Sequence, residues 1–144
     1  NEIILSFKEI SKKNFVFNFD QDSNPKKITK SIEIVYGLRN FIGNANKFSN
    51  NAIYINLKSD SEITEITIED DGNGYPKDVL SKIGEPYLRS KDHIEKSKTG
   101  LGLGLFIGKT LLEKNFASIE CRNSKTRSGA EVLIKWNNKD LFNI

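Results

Sequence analysis

Asn40, Asn44 and Lys47 stand four and three residues apart, so a helix through them presents all three on one stripe. Asn is a poor interior helix former, and a merely solvated face usually carries Glu, Lys or Arg. Two neutral amide oxygens one turn apart suit a hard Mg²⁺ that keeps most of its waters, and Lys47 adds a point charge for phosphate oxygens. Downstream, Asp70 is followed by Gly72 and Gly74. A carboxylate at a strand end can accept a hydrogen bond from an adenine amino group. The two glycines let the backbone turn tightly and approach a flat base. Finally, Gly100, Gly102 and Gly104 precede an apolar helical stretch whose first N–H groups are free to receive phosphate. Each pattern alone has a plain structural explanation: a solvated helix face, an ordinary Asp-Asp-Gly-Asn-Gly turn, a glycine-rich hinge. In this order they describe a nucleotide pocket.

Two commoner phosphate loops are excluded. Gly108-Lys109-Thr110 looks like the end of a P-loop, but that motif needs Gly where Leu103 stands. The dinucleotide fingerprint fails because Leu105 and Ile107 occupy the third-glycine positions.

The elements that must position these residues follow from periodicity. Val35, Leu38, Ile42 and Ala45 repeat at helical spacing and predict a helix over Ile32–Phe48. Phe15–Phe19, Ala52–Leu57, Ile63–Ile68, Ser118–Arg122 and Ala130–Trp136 read as strands, the second and third joined by a Ser-Asp-Ser turn. Leu5–Lys12 and Pro76–Lys82 suit short helices, Gln21–Lys27 a polar turn, and Gly104–Lys114 a longer helix. Gly84–Thr99 has no clear period and reads as a mobile loop. This order predicts an α/β sandwich, one mixed sheet with helices on one face.

The stretches GLRNFIGNANKFS, IEDDGNGYP and TGLGLGLFIGK resemble the N, G1 and G2 boxes of the ATP-binding domain of bacterial sensor histidine kinases. That domain belongs to a superfamily shared with gyrase, Hsp90 and MutL. GLGLGLFIGKTLLE, SGAEVLIKW and the Gly-Glu-Pro-Tyr run are most similar to the redox-responding RegB/PrrB type. The resemblance covers Ile34 to Trp136. It implies a Bergerat-type two-layer sandwich with a mobile ATP lid over about 84–99, in a single catalytic domain spanning 1–144. The phosphoacceptor and sensor domains are expected to lie outside the chain.

The resemblance also implies ATP and Mg²⁺ as cofactors, with Asn44 as the metal ligand. Asn40, Asn44 and Lys47 take the catalytic positions. Asn44, Lys47, Phe48, Asp70, Gly72, Gly74, Gly100, Leu101, Gly102, Leu103, Gly104 and Leu105 take the nucleotide positions, with Arg89 and Lys91 reaching the phosphates from the lid. The lid departs from the family at Gly84, which replaces its first aromatic; the N box departs at Gly43. Where hydrolysing relatives carry Glu this chain has Asn40, which cannot accept a proton at neutral pH. That favours phosphoryl transfer to a histidine over a stand-alone ATPase. A regulatory nucleotide-binding module without transfer is the other alternative. The implied partners are the histidine-bearing dimerisation domain of the same protein and a response regulator.

Composition sets outer bounds. Charged residues at 28% and apolar residues at 37% fit a globular domain. A net charge of +3 with scattered Lys and Arg argues against nucleic acid. No stretch reads as membrane-spanning, so no direct membrane contact is expected of this domain; the family resemblance implies a cytoplasmic domain of a protein anchored in the inner membrane. His93, the only histidine, reads as an exposed lid residue, and Cys121 as a small strand residue.

Overall fold

A computed structural model describes residues 3–4, 13–19, 31–80 and 103–141. The expected lid, the helix over Leu5–Lys12 and the turn over Gln21–Lys27 lie outside these residues. So do Arg89, Lys91, His93, Gly100, Leu101 and Gly102.

In chain order the elements are β1 (Asn14–Phe19), α1 (Ile32–Phe48), β2 (Ala52–Ser59), β3 (Ile63–Asp70), α2 (Lys77–Leu80), α3 (Leu103–Lys114), β4 (Ser118–Asn123), β5 (Ala130–Asn137) and α4 (Asn138–Leu141). The strands form one sheet in the order β1-β2-β3-β5-β4. Among the described strands only β1 and β2 run parallel; the other pairs are antiparallel, so the sheet is mixed.

The alternation seen in sequence sorts the two faces. Ile53 and Ile55 of β2, Ile68 of β3, and Val132, Ile134 and Trp136 of β5 point to one side and are buried. The opposite side carries Glu65, Lys135, Glu131 and Arg122, paired as Lys135–Glu65 and Arg122–Glu131. This is an antiparallel-rich sheet with one covered and one charged face.

α1 and α3 cover the apolar side and pack on each other. α1 starts at Ser31, whose hydroxyl accepts the Ile34 N–H at 3.4 Å. Its buried face is Phe41, Ile42 and Ala45, with Leu38 packed at the edge. Val35 differs from expectation: it lines an exposed groove with Ile32, Tyr36 and Arg39. The helices cross where both lack side chains. A Cβ on Gly108 would lie 2.9 Å from the Phe41 ring and 3.2 Å from the Gly37 carbonyl oxygen. Gly108 therefore belongs to a helix crossing, consistent with its rejection as a P-loop glycine. Opposite charges at Glu33 and Lys114, 2.9 Å apart, join the far ends.

Away from that end, Thr64 donates to the Asn138 carboxamide at 2.6 Å, and Asn138 donates to the Asp60 carbonyl at 2.7 Å. This buried network satisfies its own polar groups and holds α4 in place. Among the described residues no helix is long and apolar enough to cross a membrane.

Candidate nucleotide site

One end of the sheet gathers the end of β3, the start of β5 and the end of β4, with the C-terminal half of α1 above them. Asp70 is the last residue of β3 and is only 2% exposed. Its Oδ1 accepts the Gly72 N–H at 2.8 Å and the Ala130 N–H at 3.2 Å. Among the described residues Oδ2 has no donor. Burial raises the Asp70 pKa, and the two backbone donors offset this only in part.

The neighbouring carboxylate has the opposite task. Burial pushes Asp71 up, but N–H groups of Asn51, Ala52 and Asn50 outweigh it and leave Asp71 below its ordinary value. Asp71 ties the turn after α1 to the turn after β3, and it is Asp70 that faces the pocket.

The pocket around Asp70 is lined by Asn44, Phe48, Gly74, Tyr75 and Ala130. Its walls come close because glycine permits it. A Cβ on Gly72 would lie 2.1 Å from the Phe48 carbonyl oxygen, so no other residue fits. Gly74 has φ +78°, a conformation that side chains disfavour. The pocket thus combines a flat, partly aromatic wall with one unpaired carboxylate oxygen.

At Asn44 this pocket meets a polar groove of about 240 Å³ lined by Arg39, Asn40, Gly43, Asn44, Lys47 and Gly104. Asn40 donates its Nδ2 to the Tyr36 carbonyl at 2.8 Å, which commits the amide nitrogen and leaves Oδ1 towards α3. A Cβ on Gly104 would sit 3.7 Å from that Oδ1. The N-terminus of α3 therefore opens onto the groove beside Asn40. The Asn44 carboxamide makes no hydrogen bond among the described residues, so it is available to both compartments. Lys47 stands 5.6 Å from the Phe48 ring centroid, within cation–π range.

The residues singled out in sequence are thus largely brought together: Asn40, Asn44 and Lys47 with Gly104 in the groove, and Phe48, Asp70, Gly72 and Gly74 around the pocket. Leu105 starts the buried part of α3. Its side chain is 0% exposed and belongs to the core, which leaves it only a backbone role at the site. Tyr75, Asn123, Gly129 and Ala130 were missed. A glycine directly before a strand signals close backbone approach, and Gly129 fits: its Cβ would lie 2.0 Å from the Asp70 carbonyl oxygen. Asn123 carried no comparable signal.

Cys121 lies on the inner side of β4 and hydrogen-bonds the buried Tyr75 hydroxyl. Burial pushes the Cys121 thiol up to about 12, so it stays protonated and unreactive at neutral pH.

The neutral amide oxygens of the groove fit a divalent cation held mostly by water and phosphate, while Arg39 and Lys47 fit the phosphates. Asn44 offers an uncommitted carboxamide and Asn40 a free Oδ1, both neutral oxygens of the kind that Mg²⁺ accepts.

Comparison with known proteins agrees with this geometry. The family model described as "Histidine kinase-, DNA gyrase B-, and HSP90-like ATPase" matches residues 29–139. The sensor histidine kinase RegB of Cereibacter sphaeroides is 37% identical over 131 residues, which is 80% of this chain and 28% of that protein. The chain thus spans little more than a quarter of this relative's length. The catalytic domain of histidine kinase ThkA superposes with TM-score 0.74 at 20% identity, covering 94% of this chain and 88% of that one. Full-length ShkA, solved in complex with AMPPNP, gives TM-score 0.71 at 18% identity, covering 94% of this chain and 28% of that one. At such identities these two likenesses concern the fold alone.

Proposed function

The chain belongs to the histidine kinase-, DNA gyrase B- and HSP90-like ATPase family, and from that premise we propose that it is the catalytic ATP-binding part of a sensor histidine kinase. It takes ATP with Mg²⁺ and presents the γ-phosphate to a histidine on the dimerisation domain of the same protein, from which a response regulator is phosphorylated. The resemblance to the RegB/PrrB type is the ground for placing this part in the cytoplasm of a membrane-anchored full-length protein.

The observation that carries the reading is the joined pair of compartments. A buried carboxylate with one free oxygen suits the adenine amino group, and the Phe48 side suits the ring face. The route past Asn44 leads to a groove with Lys47, Arg39 and the N-terminus of α3, which suits phosphates. Asn44, with Asn40 beside it, would hold the metal, and Mg²⁺ there would supply positive charge against the phosphate oxygens. The family resemblance assigns Gly100, Leu101, Gly102, Leu103 and Leu105 to the phosphates, and Arg89 and Lys91 to phosphate contacts from the lid.

No carboxylate lines the groove among the described residues. Water there lacks a general base, so the site favours holding ATP in position for transfer over hydrolysing it. The test is transfer in trans. The chain, labelled ATP and Mg²⁺ are mixed with the histidine-bearing domain of the same protein. Acid-labile label on that domain, lost with Asn44→Ala, is expected. Label absent from it while phosphate is released would assign the site to hydrolysis.

A further inference from the structure

Tyr75 is held at three points by a single strand. Its N–H donates to Asn123 Oδ1 at 2.7 Å, and its carbonyl accepts from Asn123 Nδ2 at 3.2 Å. Its hydroxyl meets the Cys121 thiol two residues back on the same face of β4. The Asn123 carboxamide thus acts as one more rung of the sheet, pairing an irregular segment with an edge strand. The same Oδ1 would stand 2.8 Å from a Cβ on Gly74.

Asn123 is also the ladder partner of Ala130, whose N–H holds Asp70 Oδ1. Asp70 is therefore tied to Asn123 from both sides. One route runs through Gly72, Gly74 and Tyr75, the other through Ala130. The hairpin that bears Asn123 is clamped in turn on the open face of the sheet. The Arg127 guanidinium lies 3.6 Å from the Tyr54 ring centroid and 3.6 Å from Glu69, which also accepts from Ser124 at 2.9 Å. The Gly74–Tyr75 wall is thus fixed by one exposed side chain at the end of β4, while the Asp70 wall is reached from the same residue through the backbone ladder.

The geometry assigns to Asn123 the role of a positioning residue that sets purine selectivity: it fixes the Gly74–Tyr75 wall so that a base can meet Asp70 in one register only. The assignment rests on the adenine-nucleotide reading above. A carboxylate rejects guanine because the keto oxygen of guanine replaces the amino donor, but only when the walls prevent the base from sliding. With the wall released, guanine can shift to another edge and discrimination narrows.

Asn123 is exposed, so Asn123→Ala removes the two bonds without opening the core. Thr126→Ala, on the same turn, is the control. Amide exchange is first followed on the ligand-free chain at Tyr75 and Gly72, with Ile66 and Ile134 as internal references. In Asn123→Ala both Tyr75 and Gly72 are expected to exchange about five- to tenfold faster, the size of one lost neutral hydrogen bond. The references stay unchanged. The preference for ADP over GDP is then measured by calorimetry well below the melting transition. It is expected to narrow by a similar factor in Asn123→Ala and to be unchanged in Thr126→Ala.

Faster exchange at Tyr75 alone, with Gly72 protection and the ADP/GDP ratio intact, would reduce Asn123 to a local tie and overturn the assignment. Equal weakening of ADP and GDP would overturn it too, since that is loss of structure without loss of selectivity. If the unmodified chain binds neither nucleotide, the adenine reading fails and takes selectivity with it. The coupled response of Gly72 and Tyr75 would then still report the positioning link by itself.

Discussion

Asp70 receives two backbone N–H groups on Oδ1 and none on Oδ2 among the described residues, so its burial is only half compensated. An amino group on a bound base supplies the missing donor. Replacing Asp70 with Asn removes the charged acceptor and puts an amide in its place. ATP affinity is expected to fall by about 1.5–3 kcal/mol, with GTP losing less. Calorimetry with both nucleotides checks this, and unchanged ATP affinity would detach the base from Asp70. The same imbalance predicts a pH dependence. Burial lifts the Asp70 pKa above its ordinary 3.8, so the folded chain keeps this proton to a higher pH than the unfolded chain does. The stability this contributes is full below 3.8 and declines as pH rises through the raised value. Nucleotide has the reverse preference, because an amino donor favours the carboxylate. Affinity for ADP is therefore full above the raised pKa and is lost as pH falls through it. Asp70→Asn lacks that step, and the difference between the two titrations separates it from protonation of the phosphates.

The crossing of α1 and α3 aims the phosphate end of the site. Phe41 fills the space beside Gly108 and is only 1% exposed, so it cannot swing away into solvent. Gly108→Val is expected to cost about 1–3 kcal/mol through overpacking, read as a lower denaturant midpoint at unchanged slope. It should also push the start of α3 away from Asn40. ATP affinity then falls more than adenosine affinity, because adenosine makes no use of the groove. Equal losses for both would mean that the helix N-terminus contributes nothing to phosphate binding. These elements differ in how plainly they could be read. α1 was legible to its bounds because an amphipathic stripe over 17 residues is a strong signal. β2, β3 and β5 were legible from alternation but run on to Ser59, Asp70 and Asn137, where ladder bonds outlast the apolar pattern. α4 was missed, since four residues carry no period and its hold is the buried Asn138 network. At the site, the Asn40/Asn44/Lys47 stripe and Asp70 were legible because each is local. The Tyr75–Asn123 and Asp70–Ala130 bonds join residues 48 and 60 positions apart, and no local pattern reports such partners.

At the scale of the molecule, the groove as lined by the described residues meets no proton acceptor suited to activating water. Arg39 and Lys47 are cationic, Asn40 and Asn44 are neutral amides, and Gly43 and Gly104 offer only backbone. The buried Asp70 lines the other compartment, where its Oδ1 takes two backbone donors and its Oδ2 faces the base site. General-base assistance typically contributes ~10²–10⁴-fold, so the pure chain should release phosphate barely above background even at saturating Mg-ATP. The 144 residues also hold a single histidine, His93. Incubation of the chain alone with labelled ATP should therefore leave it free of acid-labile label, and His93→Ala should change nothing. Asn40→Glu places a carboxylate on the groove beside α3. It can raise hydrolysis by supplying a base, but its charge also opposes the phosphates, so its net effect mixes two terms of opposite sign. The unmodified chain gives the cleaner measurement because it carries no such trade-off. Steady phosphate release by the pure chain, abolished by Asn44→Ala, would show that the groove activates water without a carboxylate. The site would then have to be read as that of an ATPase.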